Sequence, residues 1–565
     1  MNDWNIYPRP SLKRNGNYKI LNDGWTLNNL PVKLPFPPES KLCEYEGKIT
    51  PVYTYQKKIE LPQEAVKCLK SDGRLMLYFG AVDQVCSVYA NDELVGHSEL
   101  GYFTLTCDIT KQANEAIANN DPVILIRLEG EDFLDHTKPY GKQRIDRGGM
   151  WYTPISGIWQ TVWMEWLPES YISKINYDVE ESRVTFKLCF NEEENNSEKK
   201  VKATLRTAEG DYNFLIKGNN YSLDLSSIEI AGKKHQPQFW TAENPYLYEL
   251  ELDYNGDKVE TYFALRSVSI EKVTGVQRIC INHKPVFLNG VLDQGYFEDG
   301  IFTPESPEEY KKDILRMKEL GFNTLRKHIK VEPEIFYYLC DSLGIYVIQD
   351  MVNNGPYNFL VDTALATVGL KKNDKNRYDE NQKEWFKLSA FETQNFLHNH
   401  PSVIAYTVFN EGWGQTDSDE IGDLLKERDS SRFYDYTSGW FKQQHSDVDS
   451  VHIYFRTKKL KPELKPLLLS EFGGFSRAVE GHIWNPKKSY GYGKCKDEKE
   501  LTDRIIETYK KMVLPAIPLG LCAAIYTQLS DIEDEINGFY TYDRKVCKVN
   551  KNRIAEFMLK ELKIC

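Results

Sequence analysis

The sequence predicts three units in a row: an all-β jelly-roll domain over residues 1–168, an immunoglobulin-like β-sandwich over 169–270, and a C-terminal (β/α)8 TIM barrel over 271–565. Three observations predict it. The chain has 565 residues, too many for one core, and about 100–200 residues per domain makes about three domains. Its first 270 residues are short strands broken by turns. Beyond residue 271 strands alternate with helical patterns, and eight strands with intervening helices suit a barrel of that length.

In the first unit the strand patterns are Val52–Ile59, Leu75–Phe79, Val85–Tyr89 before an Asn91-Asp92 turn, and Val123–Leu128 after a proline. Many short strands at this spacing indicate a sandwich or jelly roll. The next hundred residues or so suit an immunoglobulin-like sandwich. Its polar run Asn191–Lys200 reads as a solvated hairpin tip. In the third unit the candidate strands are Val286–Leu292, Phe322–His328, Tyr346–Met351, Val403–Asn410, Phe433–Ser438, Ser450–Tyr454, Leu467–Ser470 and Cys522–Leu529. The clearest helix starts at Ser306-Pro307-Glu308-Glu309, an N-cap with proline and acid in the first turn, and stops at Gly321.

Net charge is −12, which argues against nucleic acid and anionic membranes as partners. Met1–Pro8 shows no secretory pattern, and no apolar run approaches the ~20 residues that cross a bilayer. The 11 cysteines are odd in number, scattered and without a Cys-x-x-Cys pair, which predicts reduced thiols in a cytoplasmic protein.

Two segments carry the chemistry: Phe409-Asn410-Glu411-Gly412, and Ser470-Glu471-Phe472-Gly473-Gly474. Each follows a continuous apolar run, the mark of a strand buried on both faces. By strand count Glu411 follows the fourth strand and Glu471 the seventh, at the edge where barrels keep their chemistry. Paired carboxylates there suggest glycosidic bond cleavage. A retaining glycosidase needs one as nucleophile and one as acid/base, the latter kept protonated by burial or a nearby anion.

At this point the chain resembles glycoside hydrolase family 2, the β-galactosidase, β-glucuronidase and β-mannosidase group, over essentially its whole length. Ser156–Val162 resembles the segment closing that family's jelly roll, and Gly321–His328 its second barrel strand. His400–Val403 leading to Asn410-Glu411 is similar to the acid/base signature, and Ser470–Gly473 to the nucleophile segment. Tyr526–Asp531, Asn537-Gly538 and Tyr542–Arg544 are similar to the barrel-closing segment.

The resemblance implies Glu411 as acid/base, Glu471 as nucleophile, and Asn410 holding the sugar 2-hydroxyl. It implies Tyr454 hydrogen-bonded to the nucleophile and Arg326 beneath the same carboxylate, with His328, Asp350, Trp440 and Tyr526 at the pocket wall. Asp83 matches a jelly-roll loop position that reaches the sugar in some members. Plain structural roles stand beside these: core aromatics for Tyr454 and Trp440, an interior ion pair for Arg326, a supporting histidine for His328, a turn residue for Asp83.

There are departures. Where family glucuronidases carry an Asn-x-Lys for the sugar carboxylate, this chain has Glu535-Ile536-Asn537, and an acid there argues against uronic acids. Gly473-Gly474 replaces the His-containing run of the magnesium-dependent galactosidases, and the chain stops after the barrel. His398 and His400 lie two apart and do not share a helix face, so no metal and no cofactor are expected. The stretch from Asn353-Asn354-Gly355-Pro356-Tyr357-Asn358 to Arg377 reads as a long loop after the third strand that shapes the pocket.

The expected function is a cofactor-free retaining exo-β-glycosidase acting on a small neutral glycoside, first a β-galactoside, then a β-glucuronide, β-mannoside or β-glucoside. Transglycosylation would use the same residues, and a homo-oligomer is what the family implies. The rival from another class is a silent carbohydrate-binding protein, which has no reason to carry both carboxylates with Asn410 and Tyr454 beside them.

Overall fold

Strands apolar on both faces need a neighbour on each side and cover above and below, and a closed parallel barrel supplies both. The computed structural model describes residues 3–191, 199–365, 370, 378–454 and 456–562. Its barrel strands are, in order, Leu288–Asp293, Thr324–Lys327, Tyr346–Asp350, Val403–Asn410, Phe433–Ser438, Asp449–Ile453, Leu467–Gly473 and Leu521–Thr527. The first pairs in parallel with both the second and the eighth. The sheet's two ends are the fifth and sixth strands, so the barrel has a seam there. Side chains bridge it: Ser450 Oγ donates to Asp435 Oδ1 at 3.0 Å, and the Tyr434 N–H donates to Asp447 Oδ2 at 2.9 Å.

The boundaries differ from the expected ones by a few residues, and one difference matters. Glu471 lies inside the seventh strand rather than just past it. Register shifts against the sixth and eighth strands, at Val451/His452 and Leu469/Phe472, let the strand continue through it. The helix Pro307–Glu319 starts where expected, but Ser306 makes no side-chain cap bond. Between the fifth and seventh strands the described residues form no helix.

The jelly roll is built on two antiparallel sheets, one of four strands and one of six, with the short antiparallel pair Val82–Asp83 and Gly157–Ile158 beside them. Alternation builds its core: Ile124, Ile126 and Leu128 of Val123–Glu131 point inward and are fully buried. The sandwich packs a three-stranded sheet on a four-stranded one around Val184, Phe186, Val201, Leu205, Leu250 and Phe263. Trp240 and the hairpin Val268–Ile281 join Leu288, Ile348, Ala523 and Ile525 in one apolar cluster at the barrel's lower end. The polar tip read at Asn191–Lys200 lies mostly outside the described residues (192–198), as does part of the loop after the third barrel strand (366–369 and 371–377).

Arg14 ties the first two units together. Its Nε and Nη2 donate to the Asp257 carboxylate at 2.8 and 2.9 Å, and its Nη1 donates to Glu165 at 3.3 Å. All three side chains are at most 2% exposed. Arg14→Met leaves the buried Asp257 without its cation, and breaking such a pair costs about 3–5 kcal/mol. We expect the first urea unfolding transition to drop accordingly. Lys13→Met, which loses a pair to Glu260 that is about 40% exposed on both sides, should cost at most about 1 kcal/mol.

Candidate active site

The site is built on an arginine in the barrel's interior. Arg326, on the second strand, is 1% exposed. Its Nε and Nη2 donate to the two Asp350 oxygens, each at 3.0 Å. The remaining donors reach Glu471 Oε1 at 3.0 Å, the Ser470 carbonyl at 3.0 Å and Asn410 Oδ1 at 2.8 Å. One planar cation thus sets the fourth and seventh strand ends relative to each other. Asn410 Oδ1 is taken, which leaves its Nδ2 as the group able to donate to a sugar hydroxyl.

Glu471 Oε2 accepts from the Tyr454 hydroxyl. Burial alone would raise the Glu471 carboxyl; the charges of His452 and Arg326, then His328 and the Tyr454 bond, outweigh it and hold the group at about 2. It is therefore an anion at any physiological pH, as a nucleophile requires. The Tyr454 ring stacks on Tyr492, centroids 3.9 Å apart. Gly473-Gly474 makes this packing possible. A Cβ on Gly474 would lie 2.5 Å from Tyr492, and one on Gly473 2.3 Å from Tyr526.

Glu411 follows the fourth strand at a φ of +54°, a left-handed conformation that is strained for a residue with a Cβ. Its N–H donates to the Ser438 carbonyl at 2.8 Å, which holds the turn. The carboxylate reaches His452: Oε1 is 2.9 Å from Nδ1. One oxygen of Glu411, one of Glu471 and a ring nitrogen of His452 all lie within 4.8 Å of one another. A dication bound by this trio would sit beside the Arg326 guanidinium, already 3.0 Å from Glu471 Oε1. The arrangement suits proton transfer better than metal binding.

The jelly roll supplies one wall. Its segment 133–156 crosses the barrel mouth, where the Tyr140 hydroxyl donates to the Gly355 carbonyl at 2.8 Å and the Thr153 N–H to Glu533 Oε1 at 3.0 Å. The Tyr152 hydroxyl donates to Glu535 Oε2, and Asn537 Nδ2 donates to Glu535 Oε1 at 2.9 Å. Burial pushes the Glu535 carboxyl up, against these bonds and the nearby Lys142 charge. Lys142 is 8% exposed, with its ammonium 5.4 Å from the Trp151 ring centre. Among the described residues no carboxylate lies within ion-pair distance of it.

The residues singled out in the sequence fall into two groups. Asn410, Glu411, Glu471, Tyr454 and Arg326 come together as described, and Trp440 stands beside Gly412, whose Cβ would lie 3.4 Å from its ring. His328 places Nδ1 2.7 Å from Asp350 Oδ2, and burial lowers its pKa against the pull of that carboxylate. Asp350, with both oxygens engaged by Arg326 and His328, acts through Arg326 rather than at the pocket wall. Tyr526 and Asp83 are not brought to the site. Tyr526 is 1% exposed among Phe472, Phe475 and Phe539, and its oxygen accepts from the Phe475 N–H at 3.3 Å. Asp83 is enclosed by the jelly roll, where Gln143 Nε2 donates to it at 3.1 Å.

Lys142, Tyr152, Tyr492 and His452 were missed. A signal existed for His452 alone: it stands two residues before Tyr454 in the expected strand Ser450–Tyr454, and alternate residues of a strand share a face.

Two family profiles match the chain: "Glycosyl hydrolases family 2" at residues 170–266 and "Glycosyl hydrolases family 2, TIM barrel domain" at residues 272–487, together more than half of it. A putative β-glucuronidase of Formosa agariphila is 25% identical over 76% of this chain and 51% of its own. A β-galactosidase of Lactococcus lactis is 26% identical over 73% of this chain and 37% of its own. The chain thus spans about half or less of the curated relatives it matches. Among solved structures, β-glucuronidases of an uncultured Clostridium sp. and of Dictyoglomus thermophilum superpose with TM-scores of 0.71 and 0.73. They cover 98–99% of this chain and 99–100% of their own, and at 18% identity they speak for the fold alone.

Removing the arginine tests the electrostatic account. In Arg326→Met the Glu471 carboxyl rises from about 2, because its fixed cation is gone. A depressed carboxyl loses its anion only as pH falls through its own value, so the acidic limb of kcat/KM should move to higher pH. An unmoved limb in a folded variant would show that Arg326 does not set the charge of Glu471.

Proposed function

The chain belongs to glycoside hydrolase family 2, and on that footing we propose that it is a retaining exo-β-glycosidase acting by double displacement on a small glycoside. The observation that carries this reading is the closeness of the two carboxylates, whose oxygens approach within 4.8 Å. Retaining enzymes hold their carboxyls about 5–5.5 Å apart and inverting ones about 6.5–9.5 Å, to admit a water between them.

In this mechanism the Glu471 anion attacks the anomeric carbon, and the glycosidic C–O bond breaks as Glu411 gives its proton to the departing oxygen. A glycosyl ester to Glu471 remains. Water then attacks the same carbon, its proton passes to Glu411, and the Glu471 anion is regenerated. Arg326 and Tyr454 hold the nucleophile's two oxygens, which fixes its aim. Asn410 Nδ2 donates to the sugar 2-hydroxyl, a contact that tightens as the oxocarbenium-like state forms. The jelly-roll segment over the mouth favours a terminal sugar over an internal one.

A neutral sugar, first a β-galactoside, is the preferred substrate, because Glu535 is a buried carboxyl where family glucuronidases carry the Asn-x-Lys asparagine. A β-glucuronide is the second reading, favoured by Lys142, a buried ammonium without a carboxylate partner among the described residues.

A panel of nitrophenyl β-glycosides decides between them. We expect turnover of the galactoside, none with Glu471→Gln, and recovery of Glu411→Ala by azide on activated substrates. Full activity of Glu471→Gln would remove it as nucleophile. If the glucuronide is cleaved instead, Lys142→Met should abolish that activity and the second reading replaces the first.

A further inference from the structure

His452 has no part in the two-carboxylate scheme, yet it stands between the two carboxylates. It sits on the sixth strand and looks across the seam where the barrel ladder is interrupted. Nδ1 is 2.9 Å from Glu411 Oε1, while Nε2 is 3.1 Å from Ser438 Oγ and 3.7 Å from Glu471 Oε1. The side chain is 2% exposed. Room for it is made by Gly439, where a Cβ would lie 2.6 Å from the imidazole.

We propose that Glu411 and His452 form one unit holding the exchangeable proton of the reaction, with His452 a positioning residue that acts through Glu411. The proposal rests on Glu411 being the acid/base of the retaining mechanism.

The hydrogen-bond directions set the tautomer. Ser438 Oγ donates to Ser470 Oγ at 2.9 Å, so toward His452 it is an acceptor, and Nε2 carries the hydrogen. Nδ1 is then where a proton is shared with Glu411, either as Glu411–H donating to Nδ1 or as Nδ1–H donating to the Glu411 anion. The groups facing the imidazole are Glu411 from the fourth strand end, Asp435 and Ser438 from the fifth strand, and Glu471 from the seventh. Tyr454 follows just past the end of the sixth strand, and Arg326 lies behind Glu471 and Asp435. Asp435 is buried and raised to about 6, so it adds negative charge to the imidazole's surroundings above that pH.

The proton balance is simple. In the first step the shared proton leaves with the aglycone oxygen, and Glu411 becomes an anion facing a neutral imidazole. That state sets the Nδ1 lone pair against a carboxylate oxygen 2.9 Å away, a repulsion that the proton's return relieves. In the second step the proton of the attacking water refills the unit. Neither step needs a further reactant.

The test is the pH profile of kcat/KM for wild type and His452→Asn, using phenyl and 2,4-dinitrophenyl β-glycosides of the sugar the wild type cleaves. Asparagine fills similar space but cannot share a proton. The expected result is a basic limb moved to lower pH by about one unit or more. At neutral pH the loss should be at least about tenfold greater on the phenyl glycoside, whose departure needs the acid, than on the dinitrophenyl one. Equal losses on both substrates with an unmoved limb would reduce His452 to a packing role and overturn the proposal. If His452→Asn fails to fold, Ser438→Ala carries the test, since it frees the tautomer: a lowered basic limb supports the proposal and an unchanged one overturns it. Failure of the underlying retaining mechanism is separate, and shows as turnover by Glu471→Gln.

Discussion

A single buried guanidinium is the constraint on which the site depends. Arg326 gives its donors to Asp350, Asn410, the Ser470 carbonyl and Glu471, and so joins the second, third, fourth and seventh strands across the barrel. An arginine this deep is costly unless every donor is used and its charge is balanced. Here the planar fork meets Asp350 in two parallel bonds, which orients the group before Glu471 is considered. The charge and aim of the Glu471 carboxylate are therefore consequences of an ion pair below it. The charge needed at the carboxylate and the rigidity needed at the strand ends come from the same group.

Around that centre the chain accepts local strain to place what the arginine does not. Glu411 takes a left-handed conformation at the strand end, worth about 1–3 kcal/mol, and the Ser438 carbonyl holds it there. Gly439, Gly473 and Gly474 give up side chains so that His452, Tyr526 and Tyr492 can come close. The open seam between the fifth and sixth strands belongs to the same pattern. A paired ladder there would leave less freedom for His452 to reach Glu411 and Ser438 across it. The jelly roll then covers the mouth and adds Tyr152 and Lys142, so the pocket belongs to two parts of the chain.

Much of the fold was legible because it rests on local patterns. Apolar runs such as Val403–Phe409 are long enough to declare strands buried on both faces, and Ser306-Pro307 declares a helix start. Glu411 and Asn410 were legible as strand-end residues for the same reason. What the sequence hid is what depends on contacts between distant residues. The Tyr152–Glu535 bond joins positions 383 residues apart, and no local signal marks either partner. Asp83 matches a family loop position that reaches the sugar in some members, but the jelly roll closes over it and offers the barrel Lys142 and Tyr152 instead. Tyr526 sits in a family-like segment, yet its ring fills the space left by Gly473, which only packing reveals. His452 lay between these cases, readable from its spacing to Tyr454 though not from its own neighbours.

The central claim is that the two carboxylates are close enough for one to attack the sugar while the other manages the proton. The most direct measurement is proton NMR of the product formed in the first minutes of hydrolysis of a β-glycoside the enzyme accepts, before mutarotation. Two displacements at the anomeric carbon return its configuration, so the β anomer should appear first and the α anomer only later. An initial α anomer would mean a single displacement by water and would contradict the account.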